Sequence, residues 1–403
     1  MIKSRLKHAP WLKVEPLIKL FEIYQKAGFE LRLVGGCVRD SLLNNKIHDW
    51  DLATNALPEE SLNICKKAHM HTIPTGLKHG TITVVFEHIH FEITTLRIDE
   101  QTDGRHAHVV WTTDWQADAQ RRDFTINSLY GDKHGDIYDY TDGLSDLKQH
   151  LIRFVGEPSQ RVEEDYLRIL RYFRFMARFG DFDKIHKPSL NACKQHKDGL
   201  RQVSAERIRD ELFKIFTAPK RNQAIVMMQE YEIFATINLP LSNNKLTWLD
   251  NIEKQLNFPP NPLRCLAYLF PKECDCRIIA NQLKLSNKEK YHLVHLHQYL
   301  YDGKDASLPY LRRICYDTNI DICKDIYILK FNGDIISDWD IITPAVFPVT
   351  GKDLLALGIK ADKQMGIILK KLEELYIASD FSLSKTQLLK EVYHDGQSLY
   401  TKL

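Results

Sequence analysis

Long apolar runs are missing from this chain of 403 residues: no stretch of 18 apolar residues occurs, and no apolar h-region follows the first residues. The sequence therefore predicts neither a membrane-spanning helix nor a secretory signal. Internal repeats and low-complexity tracts are missing as well. We expect a soluble cytoplasmic protein without a membrane partner, and a content of 44% hydrophobic residues suffices for two to four domains with buried cores.

Cysteines and histidines at metal-binding spacing are also missing. The eight cysteines are scattered, and Cys274-Asp-Cys276 has no companion pair of the kind that a closed zinc site requires. His292, His295 and His297 are close in sequence, but they fit one face of a partly exposed helix better than a metal site. These absences exclude a zinc finger and leave reduced thiols as the expected state.

Two aspartates one residue apart, Asp49 and Asp51, are the most informative feature that is present. Side chains alternate between the faces of a strand, so these two carboxylates would lie on the same side of the backbone. Carboxylate oxygens suit Mg²⁺, which is commonly shared between protein carboxylates and substrate phosphates. Taken alone, the pair could equally be a solvated strand end, and it gains its meaning from the segment before it.

That segment is a short apolar strand that ends in two glycines, Gly35 and Gly36, followed by Arg39. Glycine lets the backbone approach a triphosphate closely, and the amide N–H groups can donate to phosphate oxygens. Arginine adds a forked cation that matches the geometry of a phosphate. A phosphate site next to a metal site predicts phosphoryl or nucleotidyl transfer, whereas a plain Gly-Gly turn would predict neither.

Glu92 is the candidate for a third carboxylate. Residues 81–97 contain two β-rich runs around a tight connection, which predicts a hairpin. Phe91 and Ile93 flank Glu92, so its carboxylate would face away from its apolar neighbours. We expect Glu92 to act with the two aspartates, although an exposed strand glutamate would show the same pattern.

Residues 160–179 predict one uninterrupted helix, because apolar residues recur at helical spacing and neither proline nor glycine interrupts them. On this helix Asp165, Arg168, Arg171 and Arg174 recur every three residues. Such a stripe winds slowly round the helix and can follow an extended ligand. One end of the stripe could contact a base and the other end could contact phosphate. A carboxylate accepts a hydrogen bond from an exocyclic amine, which cytosine and adenine have and uracil lacks. The alternative is an ordinary amphipathic helix with an Asp–Arg pair on its wet face.

The segment 118–130 is predicted to be buried beside the sheet, with Phe124, Ile126 and Leu129 facing inward. It also contains Arg121-Arg122-Asp123 and, four residues after Asp123, Asn127; we expect Asp123 and Asn127 to orient neighbouring side chains. Adjacent arginines are by themselves a weak signal for a functional site, but their position in the chain after the other motifs strengthens that signal.

Taken in order, these motifs closely resemble the class II tRNA nucleotidyltransferase family. Its members add CCA to tRNA 3′ ends and share their head with bacterial poly(A) polymerases. The resemblance is carried by the segments that begin at Gly35, Asp49, Arg121 and Glu164. Further segments resemble the flexible loop, a later neck motif and the tail of the family, at residues 103–106, 204–212 and 351–358.

The resemblance implies an α+β fold: a nucleotidyltransferase head of the polymerase-β type, with a small sheet and helices, followed by an all-α remainder. From the residues themselves we expect two Mg²⁺ ions as the cofactor, held by Asp49 and Asp51 with Glu92 as the third ligand, and two-metal nucleotidyl transfer as the mechanism. By the resemblance, Asp165 and Arg168 would be the protein template that pairs with CTP or ATP. The phosphate chemistry predicts Gly35, Gly36 and Arg39 as nucleotide-binding residues, and the resemblance adds Arg122, Asp165, Arg168, Arg171 and Arg174.

Strand signals nearly vanish after residue 147, and the first 28 residues look helical. We expect a catalytic head at 1–147, a helical neck for base recognition at 148–222, a helical body at 223–340 and a tRNA-binding tail at 341–403. The net charge is only +2, but residues 148–221 carry 17 Lys and Arg against 10 Asp and Glu, a local excess of seven positive charges. A basic neck would attract RNA phosphates in a salt-dependent way.

The predicted function is template-independent addition of C, C and A to the 3′ end of tRNA from CTP and ATP, with release of pyrophosphate and without DNA as a partner. A poly(A) polymerase, or an enzyme that adds only CC or only A, stays open, and the loop at about 97–111 favours full CCA addition. An inactive RNA-binding protein is disfavoured by the intact Asp49, Asp51 and Arg39. A small-molecule nucleotidyltransferase would not need the basic helical neck.

Overall fold

The computed structural model describes residues 2–102, 107–242, 246–333, 335–342 and 346–392. The chain divides into two compact units, Met1–Leu239 and Pro240–Leu403, called here the first and the second unit. None of the helices in these described ranges is both long and apolar enough to cross a membrane. The loop that the sequence suggested at residues 103–106 lies outside the described residues.

A mixed sheet organises the first unit. The strands are β1 (Ile2–Arg5), β2 (Leu31–Val34), β3 (Trp50–Thr54), β4 (His71–Gly76), β5 (Thr81–Phe86), β6 (Ile89–Thr95), β7 (Arg97–Thr102), β8 (Ala107–Trp111), β9 (Leu129–Gly131) and β10 (Asp136–Asp139). Eight of them form one sheet in the order β1-β10-β9-β2-β3-β6-β5-β4, and β7 pairs with β8 separately.

The centre of this sheet is the parallel pair of β3 and β6, while the other pairs in it are antiparallel. Leu33, Leu52, Ile82 and Ile93, on β2, β3, β5 and β6 respectively, are buried in the core. Their burial fixes the register, because a slip by one residue would turn every core side chain towards solvent. The register in turn fixes where the polar residues of the opposite face lie.

Helices of the first unit flank and follow the sheet. They are α1 (Glu15–Lys26), α2 (Gly36–Leu42), α3 (Pro58–Lys67), α4 (Trp115–Gln120), α5 (Gly143–Gln149), α6 (Pro158–Glu164), α7 (Leu167–Phe179), α8 (Lys187–Gln195), α9 (Ala205–Phe216), α10 (Arg221–Glu230) and α11 (Ile233–Thr236). Short 3₁₀ helices lie at Pro10–Lys13, Leu77–His79, Thr125–Asn127 and Lys197–Gln202. The helix α7 packs against α9 and α10.

The prediction of one uninterrupted helix over residues 160–179 is wrong. The helix α6 ends at Glu164, Asp165 is extended with φ −157° and ψ 102°, and α7 begins at Leu167. The physical reason is the Asp165 side chain, whose Oδ1 accepts a hydrogen bond of 3.1 Å from the backbone N–H of Leu167. A short acidic side chain that bonds the backbone in this way competes with a continuous helix and starts a new one.

The helical prediction for the first 28 residues is partly wrong. Only Glu15–Lys26 forms an α-helix, and Ile2–Arg5 pairs as β1 with β10 across more than a hundred residues of sequence. The side chain of Arg5 forms an ion pair with Asp136 on the partner strand. Such a long-range pairing leaves no local periodicity from which it could be predicted.

Within its described residues, the secondary-structure elements of the second unit are all helices. Its helices are α12 (Thr247–Gln255), α13 (Pro262–Leu269), α14 (Cys276–Gln282), α15 (Asn287–Leu300), α16 (Leu308–Asp317), α17 (Ile320–Leu329), α18 (Gly351–Ala356), α19 (Lys363–Ala378) and α20 (Lys385–Glu391). The buried Arg264 forms ion pairs with Glu253 and Asp325. An α+β head followed by helices confirms the predicted fold class, while the boundaries of neck, body and tail stay predictions.

Candidate active site

Asp49 and Asp51 lie where the chain enters β3, at the middle of the sheet. Asp49 immediately precedes the strand and is exposed, and Asp51 is its second residue and is half-buried. Glu92 is the register partner of Asp51 in the parallel pair of β3 and β6, so the two side chains are neighbours on one face. The predicted hairpin is confirmed, since β5 and β6 are antiparallel with Thr83 opposite Glu92.

The carboxylate of Asp51 is held in an unfavourable electrostatic position. Burial is the main cause that raises its pKa to about 6; Glu92 and Asp49 raise it further, and Arg122 opposes the rise. Among the described residues, no hydrogen bond or ion pair neutralises the Asp49 or the Asp51 side chain. Carboxylates without an ion-pair partner offer hard oxygen donors, which fit a divalent cation.

Asp49 and Asp51 alone would not complete the coordination of a divalent cation. In the described part of the chain, no three His, Cys, Asp or Glu side chains form a group that could hold a metal ion. Two carboxylates are nevertheless what Mg²⁺ commonly takes from a protein when phosphates and water complete its octahedron. Glu92 as a third ligand therefore stays a prediction.

Gly35 and Gly36 form the turn between β2 and α2. Gly35 has φ +76°, in the left-handed region that glycine adopts without strain. A Cβ at this position would lie 3.6 Å from the carbonyl oxygen of Asn127 and 3.9 Å from Nη1 of Arg122. The glycine therefore allows the turn and keeps the backbone open towards a neighbouring cavity.

This cavity has a volume of about 600 Å³, which lies within the size range of small-molecule sites. It brings together Asp49, Asp51 and every predicted nucleotide-binding residue, but not Glu92. Eight arginines and four aspartates line it, together with Phe175 and Phe179. We call it the arginine cavity; its arginines are Arg39, Arg97, Arg121, Arg122, Arg168, Arg171, Arg174 and Arg178.

Arg39 lies in the wall of the arginine cavity with its charge already paired. Its Nε and Nη2 donate to the two carboxylate oxygens of Asp40, at 3.1 and 2.9 Å, and its Nη1 donates to Asn127. The guanidinium also lies 4.2 Å from the ring centre of Phe179. Because Asp40 occupies its fork, Arg39 is better placed to hold the wall in position than to grip a phosphate bidentately.

Arg121 and Arg122 are held by one buried carboxylate, that of Asp118. Asp118 accepts from Arg121 at 2.7 Å and from Arg122 at 3.0 Å, and the Tyr130 hydroxyl donates to it at 2.7 Å. Burial alone would raise the pKa of Asp118, but the two arginines outweigh it and hold the pKa well below its usual range. Phe124, Ile126 and Leu129 of the segment 118–130 lie in the core as predicted, whereas Gln120 is exposed and residues 121–123 are half-buried.

Asp165 and Arg168 lie at the junction of α6 and α7. Oδ2 of Asp165 accepts a hydrogen bond of 2.7 Å from Nη2 of Arg207 on α9, and its Oδ1 caps α7. Arg168 forms an ion pair of 2.6 Å with Glu164 and donates at 2.8 Å to the carbonyl of Arg161. Both candidate template residues are therefore fixed by neighbours before any base arrives.

Arg171 and Arg174 are fixed by two carboxylates behind them. Asp123 accepts from Arg171, and Glu211 on α9 lies 3.1 Å from Nε of Arg174. Burial opposes the ionisation of Asp123, but Arg171 prevails and holds its pKa at about 2. Burial and the neighbouring charge of Arg171 lower the pKa of Arg174 to about 10. Asp123 therefore orients Arg171, as expected of this residue.

Several side chains of the site were not predicted from the sequence, among them Arg178, Arg207, Glu211, Phe175 and Phe179. Arg207 pairs with Asp165, and Glu211 pairs with Arg174 on α7. The available signal for both was the resemblance of residues 204–212 to a neck motif. Arg178 could have been predicted, because it lies one helical turn after Arg174 on α7. Arg178 lines the cavity, is exposed and has no carboxylate partner within the described residues.

Comparison with known proteins places this geometry in a family. The model of the poly A polymerase head domain matches residues 31–153, and a model described as a probable RNA and SrmB- binding site of polymerase A matches residues 184–243. The mitochondrial CCA tRNA nucleotidyltransferase 1 of Danio rerio is 39% identical over 402 residues, covering 96% of this chain and 93% of that protein. The chain belongs to the CCA tRNA nucleotidyltransferase family.

Other members of the CCA tRNA nucleotidyltransferase family match over a similar length. The CCA-adding enzyme of Lactobacillus helveticus is 31% identical, covering 94% of this chain and 96% of that protein. The crystal structure of the Bacillus stearothermophilus CCA-adding enzyme shares the fold, with a TM-score of 0.74 at 23% identity over 93% of this chain and 96% of that chain. The predicted enzyme class is confirmed, and nucleotidyltransferases generally use divalent metals.

Proposed function

We propose that this protein adds C, C and A to the 3′ end of tRNA from CTP and ATP and releases pyrophosphate. The observation that carries the proposal is the pair Asp49 and Asp51 at the edge of the arginine cavity, in a chain that matches proteins named CCA tRNA nucleotidyltransferase over nearly its full length. The local excess of positive charge at residues 148–221 supports a nucleic acid as the polymer that is extended.

Asp49 and Asp51 are the residues that would hold Mg²⁺. When bound, the metal ion lowers the pKa of the RNA 3′-hydroxyl and neutralises charge on the triphosphate during in-line attack at the α-phosphorus. The chain itself orients the triphosphate. Gly35 and Gly36 let the backbone approach it, and Arg122 and Arg178 present guanidinium groups to its oxygens.

Asp165 and Arg168 select the base. The carboxylate of Asp165 accepts a hydrogen bond from the exocyclic amine of cytosine or adenine, and Arg168 donates to a ring nitrogen or carbonyl. The contacts to Arg207 and Glu164 support this role, because they pre-orient both groups. Pre-orientation lowers the conformational cost of binding.

Asp51→Asn tests the catalytic proposal, with Asp183→Asn as the matched control at an exposed aspartate. We expect Asp51→Asn to reduce Mg²⁺-dependent incorporation at least 1000-fold, while its tRNA affinity, measured by filter binding, changes less than threefold. The control Asp183→Asn should retain wild-type incorporation and wild-type tRNA affinity. We also expect Mg²⁺ to raise the Tm of the wild type in the presence of CTP, but not that of Asp51→Asn. Turnover retained in Asp51→Asn would contradict the assignment.

A poly(A) polymerase is the second candidate, favoured by the match to the poly A polymerase head domain. The two functions differ in their products, since CCA addition stops after three nucleotides and poly(A) synthesis continues with ATP alone. Enzymes that add only CC or only A would stop earlier. Sizing the products from each NTP at single-nucleotide resolution separates all four.

A reducing compartment fits the eight cysteines, none of which forms a disulfide bond in the part of the chain that the structure describes and seven of which are buried. We propose the cytoplasm as the location. The vertebrate relatives carry the word mitochondrial in their names, and the mitochondrial matrix is the alternative.

A further inference from the structure

A second cavity adjoins the two aspartates and contains no arginine or lysine. Its volume is about 580 Å³, similar to that of the arginine cavity. Asp49 and Asp51 line both cavities, so the carboxylates separate two spaces of comparable size. We call the second space the histidine cavity; its remaining lining residues are His48, Trp50, His88, Ile89, His90 and Glu92.

The chemistry of in-line transfer assigns different reactants to the two sides. In such a displacement the attacking and the leaving oxygen lie on opposite sides of the reacting phosphorus. The arginine cavity has the cations that a triphosphate requires, so pyrophosphate leaves on that side. The attacking hydroxyl must then approach from the other side of Asp49 and Asp51, where the histidine cavity lies.

We propose that the histidine cavity holds the 3′-terminal nucleoside of the RNA acceptor, and that His88 and His90 are the residues that contact it. This inference rests on the proposed function and names the subsite of its second substrate. His90 and Glu92 alternate along β6 with the buried Phe91, so the imidazole and the carboxylate face the same side of the sheet.

The histidines have the properties of a contact surface for a single-stranded end. His48, His88 and His90 are exposed, and within the described residues none of their imidazoles makes a hydrogen bond. A core or capping role would require partners for these rings. Flat aromatic rings stack on unpaired bases without strong sequence preference, which suits an acceptor whose last nucleotide changes at every addition.

The test uses the full-length double variant His88→Ala/His90→Ala and, as the control, His134→Ala, an exposed histidine in the turn between β9 and β10. We expect the double variant to raise the KM for tRNA lacking CCA about tenfold, the effect of one lost base–aromatic stack, while the KM for CTP and the nucleotide order stay unchanged. The double variant His88→Phe/His90→Phe keeps flat rings and should restore most of the tRNA affinity. An unchanged KM for tRNA, or an equal rise in the KM for CTP, would overturn the proposal.

A binding measurement separates this inference from the proposed function. A tRNA with 2-aminopurine as its last nucleotide loses fluorescence when that base stacks on a ring, whether or not any NTP is incorporated. We expect quenching by the wild type and by His134→Ala, and none by His88→Ala/His90→Ala. Equal quenching by the double alanine variant would overturn the histidine contact even if CCA addition is observed. Quenching that depends on the histidines without incorporation of any NTP would support the contact while contradicting the proposed function.

Discussion

Asp165 is the residue on which nucleotide selection most directly depends. Because its carboxylate would accept from the exocyclic amine that uracil lacks, Asp165→Ala should lower the preference for CTP over UTP by about 1–3 kcal/mol, about 5–150-fold in kcat/KM. Competing CTP and UTP incorporation into tRNA lacking CCA measures this ratio. Asp198→Ala, at an exposed aspartate of the same unit, is the matched control. Unchanged CTP/UTP selectivity in Asp165→Ala would refute the template role.

At the scale of residues, the sequence predicted which side chains form the site better than it predicted what each one contacts. The two carboxylates at the start of β3 were predictable because side chains alternate along a strand. The Gly-Gly turn was predictable because glycine has a free backbone. Both are local properties of the sequence. The pairing of Arg39 with the adjacent Asp40 depends on side-chain directions, and that of Asp165 with Arg207 joins residues that are 42 positions apart in sequence. Local patterns contain no information about such contacts.

The break between α6 and α7 is the element that places Asp165 at the cavity. Tyr166 in this break packs against Gly199, where an added Cβ would lie 2.1 Å from Cδ1 of the ring. Gly199→Ala should therefore displace Tyr166, lower the free energy of unfolding by about 1–3 kcal/mol and reduce the CTP/UTP selectivity.

The control for Gly199→Ala is Gly366→Ala in α19, where an added Cβ meets nothing within 4 Å. That substitution should stabilise the protein by about 0.5–1 kcal/mol, because alanine loses less backbone freedom than glycine in a helix. Urea unfolding and competitive incorporation measure the two effects. A Gly199→Ala protein with wild-type stability and selectivity would show that the break does not depend on this contact.

At the scale of elements, helices with strong periodicity and the hairpin of β5 and β6 were predictable because their signals are local. The break at Asp165 was not predictable, since the apolar spacing continues across it and the helix is interrupted by a hydrogen bond that the Leu167 N–H donates to Oδ1 of Asp165. The strand β1 was not predictable either, because its partner β10 is remote in sequence. Both errors occur where tertiary contacts override local propensity.

Charge distribution is the property of the whole molecule that bears on RNA binding. The net charge is +2, but the excess at residues 148–221 offers a basic surface to phosphates. We expect the logarithm of the KM for tRNA to rise linearly with the logarithm of the KCl concentration, with a slope of several units. The KM for CTP, measured in the same series, should rise much less steeply because fewer phosphates are contacted. A salt-independent KM for tRNA would contradict electrostatic capture.

The architecture of the whole molecule, an α+β head with a helical remainder, was predictable because strand and helix signals separate along the chain. Residues after Asp139 form helices and no further strand in the described ranges. The division between Leu239 and Pro240 was not predicted, since compactness depends on contacts rather than on composition. The division of the helical part into neck, body and tail, and the function assigned to each, therefore remain predictions.

The most direct test of CCA addition is to incubate the pure protein with Mg²⁺, a tRNA transcript without its CCA, and each NTP alone and in combination, and to size the products at single-nucleotide resolution. We predict two additions with CTP alone, none with UTP or GTP, and three with CTP and ATP together, in the order C, C, A. A long ladder with ATP alone, a stop after two C with both nucleotides present, or no incorporation at all would contradict it.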